Sequence, residues 1–118
     1  MRGCDSLRDW LITQGFTCAT EVFLRSSGCD WYAHRKSTLP ARECECNEGK
    51  PVQLVVHPFI YYHQAQRWES CEVDLIGETG GLWFKLSAYS LTPRELYEQL
   101  PKIEAMLVAA WNALNPTP

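Results

Sequence analysis

Glu72-Val73-Asp74-Leu75-Ile76, then Gly77-Glu78-Thr79-Gly80-Gly81, then Leu82-Trp83-Phe84-Lys85-Leu86-Ser87-Ala88-Tyr89, reads as a strand, a glycine-rich turn and a second strand. On the first strand Cys71, Val73 and Leu75 face one way and Glu72 and Asp74 the other. On the second, Leu82, Phe84, Leu86 and Ala88 oppose Trp83, Lys85, Ser87 and Tyr89. Period-two alternation of this kind implies one buried and one wetter sheet face. A slip of one residue would expose Phe84 and bury Lys85, so the register is well specified. Thr92-Pro93-Arg94-Glu95 follows, an N-cap with proline at the first helical position and glutamate three residues after the cap.

The helix so opened is expected in two pieces. Pro93 to Gln99 is the first, and Pro101, with no N–H to donate, restarts or kinks the chain. Beyond it Ile103, Met106, Leu107, Ala110, Trp111 and Leu114 recur at helical spacing and predict a stripe that buries onto the sheet. Residues 115–118 read as a frayed tail.

Upstream, a short helix is expected from about Ser6 to Gln14, capped by Asp5 or Ser6. Leu7, Trp10 and Leu11 form its apolar stripe. Gly15 suits the left-handed residue after a helix, and Phe16 can fold back on Leu11. The middle predicts four strands, at 18–25, 29–36, 42–46 and 52–57, with Pro58 as a bend or sheet edge. Phe59 to Tyr62 either continues the last strand or crosses over, and 64–67 reads as a loop. Together these give a single α+β domain over residues 1–118. Its antiparallel, meander-like sheet of five to six strands carries a short N-terminal helix and a kinked C-terminal helix pair on one face.

Composition narrows the function. The chain has 118 residues, 46% of them hydrophobic, with five tryptophans, enough to bury a core. A net charge of −3 argues against direct nucleic-acid binding, which needs a basic footprint. No run approaches the roughly 18 apolar residues of a membrane span, and Met1 to Ser6 lacks the apolar run of a signal peptide. The expected location is the cytoplasm, where the six cysteines are thiols rather than disulfides.

Several groupings bear on chemistry. Cys44 and Cys46 share a strand face near His57 and His63, a candidate zinc set, though its spacing is poor for zinc. Cys29 near His34, or Cys71 near His57, would suit a cysteine nucleophile, but neither sits in a local motif. Glu72 and Asp74, two residues apart, suit acid–base work or a divalent ion, and more simply form a solvated strand face. The glycines at 77–81 lie between strands, not before a helix, so they are a hairpin tip rather than a phosphate cradle. Large aromatics on a non-core face need a reason. Trp83, Tyr89 and Trp68, with Lys85, Glu72 and Asp74 at the rim, have the composition of a protein-binding patch. The competing expectation is that the N-terminal helix or the segment Phe59 to Arg67 covers that face and makes it a second small core.

The sequence therefore points to a non-enzymatic protein-interaction domain of inhibitor, immunity or adaptor type, acting by occupying a protein partner. No catalytic residue, metal ligand or cofactor is assigned to it, and a homodimer through the same face is a further possibility. The alternatives are a metal- or ligand-binding module using Cys44, Cys46, His57 and His63, and a small cysteine-dependent enzyme.

Overall fold

The computed structural model describes residues 3–20, 31–37, 52–79 and 82–114, apart from the side chains of 3–5, 61–63, 67, 68, 78, 79 and 82–84. Two helices and five strands follow in the order α1 (Gly3–Thr13), β1 (Thr17–Thr20), β2 (Trp31–Lys36), β3 (Gln53–His63), β4 (Gln66–Thr79), β5 (Leu82–Leu91) and α2 (Pro93–Leu114). The strands form one antiparallel meander in chain order. The strand expected at 42–46 lies outside the described residues, as does most of the expected 18–25 strand beyond Thr20.

α1 stops where the sequence says it should. Gly15 takes φ +88°, its N–H donates to the Ile12 carbonyl at 3.1 Å, and the Phe16 N–H donates to Leu11 at 3.0 Å. That pair of bonds is the Schellman stop, and both Leu11 and Phe16 enter the core. At the other end of the chain the capping box closes reciprocally. The Glu95 N–H donates to Thr92 Oγ1 at 3.1 Å, and the Thr92 N–H donates to Glu95 Oε1 at 3.3 Å.

Three corrections concern helices and turns. The expected C-terminal helix pair is one helix of 22 residues with Pro101 inside it. Proline removes one intrahelical bond, but the exposed ring sits away from the core, and the buried side chains on both sides of it hold the helix together. The buried stripe is also rotated. Leu96, Leu100, Ile103, Glu104, Leu107, Val108 and Trp111 are buried, whereas Met106, Ala110 and Leu114 are exposed. Thirdly, residues 64–67 are not a loop. Gln64 and Ala65, with φ of 52° and 63°, are the two-residue turn of the β3–β4 hairpin, and Gln66 already pairs with His63.

Pro58 lies within β3, which continues through Phe59 to His63. The β2–β3 register runs from Lys36↔Gln53 to Ala33↔Val56, so Pro58 falls past that ladder, where its missing N–H is tolerated.

Both helices pack on the same sheet face. One core cluster joins Leu7, Leu11 and Phe16 to Trp31, Ala33, Leu54, Val56, Cys71, Val73 and Leu75, and to the α2 stripe. Trp10 meets Tyr97 edge to face with centroids 4.9 Å apart, so α1 and α2 are neighbours. The expectation that α1 covers the opposite face, the one carrying Lys85 and Tyr89, is therefore wrong. A buried ion pair ties α2 to β2: Arg35 donates to Glu104 through both Nη atoms, at 2.8 and 3.0 Å, and Ser37 Oγ donates to the same carboxylate at 3.0 Å. Among the described residues no helix is long and apolar enough to cross a membrane.

Candidate functional site

The sheet face opposite the helices carries the chemistry. The two-residue turn at Gln64-Ala65 sets the β3–β4 register, which places His57 directly opposite Glu72 and Val55 opposite Asp74. β5 completes the group: Asp74 pairs with Ser87, and Lys85 stands on the same face. The β4–β5 register slips by one between Cys71 and Val73, and Ser90 takes φ 59° there. A bulge therefore lies beside Glu72, where β5 bends and its pairing is locally interrupted.

His57, Glu72 and Asp74 converge, their ligand atoms all lying within 4.8 Å of one another. His57 Nε2 is 3.4 Å from Asp74 Oδ2, and Lys85 Nζ is 3.9 Å from Glu72 Oε2. Asp74 is 0% exposed, not part of a solvated strand face. Val55, its partner across the ladder, is also buried. The Tyr32 ring stands 5.8 Å from His57 and 5.7 Å from His34, an aromatic wall along one side.

The electrostatics follow from this burial. Burial pushes the Glu72 carboxyl up to about 7, and both a hydrogen bond with Asp74 and the charge of Asp74 add to the rise, while Lys85 opposes it. Neither oxygen of Asp74 accepts a hydrogen bond. Between two ionised carboxylates there is no donor, and Glu72 becomes one when it holds a proton. Burial pulls His57 below its ordinary value. Asp74 counters that shift and Lys85 adds to it.

The residues expected in the binding patch divide. Tyr89 is 63% exposed, and the Lys85 side chain is 55% exposed. The Glu72 side chain is mostly covered, at 14%, and the fully buried Asp74 has no surface to offer a partner. The backbones of Trp68 and Trp83 pair with Tyr61 and Glu78, and their side chains lie outside the described residues.

The other groupings are reorganised. Cys44, Cys46 and Cys29 lie outside the described residues. His63 is six residues along β3 from His57, about 20 Å at the usual strand rise, so the two do not share a site. Cys71 and His57 project from opposite sheet faces. Burial pushes the Cys71 thiol up to about 12, the reverse of what a nucleophile needs. Cys18 is also raised, chiefly by burial. Cys71 lines a shallow groove with Leu7, Pro58, Glu69 and Pro93.

Sequence reasoning missed the pairing of His57 with Glu72. The signal was present: a two-residue turn at 64–65 makes every opposed pair sum to the same number. Gln-Ala lacks the glycine or asparagine that normally marks such a turn. It also missed Arg35–Glu104, although an arginine on the core phase of Trp31 and Ala33, and an acid four residues after Leu100, were both legible. No family model, curated protein or solved structure matches the chain, so the site rests on its own geometry.

Proposed function

We propose that this protein works by binding another protein and occupying its surface. The observation that carries the reading is the outer face of α2. From Ala105 to Leu114 the sequence contains no charged residue. The inner stripe is filled by Leu107, Val108 and Trp111, yet Met106 is 63% and Leu114 68% exposed on the outside. The exposed alanines at 105, 109, 110 and 113 join them into a continuous apolar strip. A helix that packs only against its own sheet places polar residues there. An uncharged strip of this kind is the composition of an interface core.

The chemistry of the partner follows from the flanks. Helices that lie on lipid carry a basic polar face. The exposed charges on α2 are Arg94, Glu95, Glu98 and Lys102, balanced rather than basic, which disfavours anionic lipid and phosphate. An apolar protein surface is the occupant that matches. The exposed Tyr89 and Lys85 on the opposite sheet face support a second contact surface, the one read from the sequence.

A photo-crosslinking amino acid at position 106 tests this in the cells that make the protein. A discrete adduct with a different protein, abolished by Leu114→Glu, is the expected result. The same probe at position 89 reports on the second surface. Adducts only with another copy of the chain would replace the reading with a homodimer, and no adduct at either position would overturn it.

A further inference from the structure

We propose that His57, Glu72 and Asp74 form a binding site for a divalent transition-metal ion. Asp74 is the residue that calls for a ligand. Its side chain is 1% exposed, and neither oxygen receives a hydrogen bond. A buried carboxylate without donors is costly and calls for a compensating positive charge or proton. The ring nitrogen of His57 stands 3.4 Å from Oδ2, outside good hydrogen-bond geometry. Both oxygens are thus free to accept, and they sit among two other groups that ligate metals.

The spacing is close to what one ion requires. Donors about 2.1 Å from a shared ion stand about 3.0 to 3.4 Å apart. The three groups already lie within 4.8 Å of one another, and side-chain rotation on the order of 1 Å closes that gap. The registers His57↔Glu72 and Asp74↔Val55 hold the donors on three neighbouring positions of a hydrogen-bonded ladder, so the site is built by the sheet rather than by a mobile loop.

Ligand chemistry selects the ion. One imidazole and two carboxylates suit zinc, manganese or ferrous iron, whereas calcium and magnesium favour all-oxygen shells. Three protein donors leave at least one position for water. Lys85 is the opposing charge. Its side chain is 55% exposed, so its ammonium can turn into solvent when an ion binds beside Glu72.

The test is a cobalt(II) titration of the full chain after metal removal, followed by zinc competition. Expected is one equivalent of cobalt with weak d–d bands and no sulfur-to-metal charge transfer, displaced by zinc. Asp74→Asn and His57→Ala should each weaken binding at least about ten-fold. Lys85→Gln should tighten it, and its exposed position keeps it folded if Asp74→Asn does not fold. Three outcomes would overturn the proposal. One is no stoichiometric binding at millimolar metal, which would leave Asp74 satisfied only by a proton shared with Glu72. Another is a thiolate charge-transfer band, which would place the ion on cysteines. The third is binding indifferent to His57→Ala and Lys85→Gln.

Discussion

Glu104 and Arg35 show how a single charged residue can be decided by its surroundings. Glu104 is 3% exposed and lies on the buried stripe of α2, where a leucine would be expected. Arg35 meets it through both Nη atoms and also stacks over Phe16 at 4.6 Å. Removing one partner strands the other in an apolar setting. Glu104→Ala should therefore cost about 3 to 5 kcal/mol in urea denaturation. The double change Arg35→Met/Glu104→Leu should cost far less than the sum of the single changes, because no charge is then left behind. Additive losses would mean that the pair acts through packing rather than charge.

Elements carry their own strain. The β3–β4 hairpin turns on Gln64 and Ala65, both in the left-handed region that side chains with a Cβ disfavour by about 1 to 2 kcal/mol per residue. The hairpin persists because its long ladder, from Gln53↔Ile76 to His63↔Gln66, over-determines the turn. Gln64→Asn/Ala65→Gly should raise stability by about 1 kcal/mol, read from the denaturation midpoint, since that pair adopts the turn without strain. A loss would show that the turn side chains make contacts which matter more than the backbone. The apolar stripe of α2 shows the limit of element-level reading. From Ala105 to Leu114 it carries no charge on any side, so two overlapping stripes were available. The sheet selected the one with Ile103, Val108 and Trp111 and left Met106 outside.

For the molecule as a whole, stability should depend on pH through the sheet-face cluster. Glu72 titrates near 7 in the folded chain, against an ordinary 4.5. Its raised value means that the stability it contributes is full below about 4.5 and is lost as pH rises through about 7. His57 runs the other way. Its value is lowered, so its contribution is present above 6.5 and is lost as pH falls through its folded value. In metal-free buffer, wild type should lose stability relative to Glu72→Gln as pH rises from about 4.5 to about 7, by thermal denaturation. Parallel profiles for the two proteins would mean that Glu72 ionises freely.

What the sequence determined by itself is local. The Schellman stop at Gly15-Phe16, the capping box at Thr92-Glu95, the alternation of β4 and β5 and the stripe Leu7-Trp10-Leu11 all depend on residues within a few positions of one another. Their physical causes, left-handed φ, orphan N–H groups and period-two or helical burial, are legible in order along the chain. What only the tertiary structure decided is which distant residues share a face and how wet that face is. Asp74 alternates like a surface residue and is nevertheless fully buried, because burial depends on everything packed around it. His57 joins Glu72 because one unmarked turn fixes a register across two strands. Both helices cover the same side of the sheet because one core unites them, and no local signal specifies the side on which a helix lands.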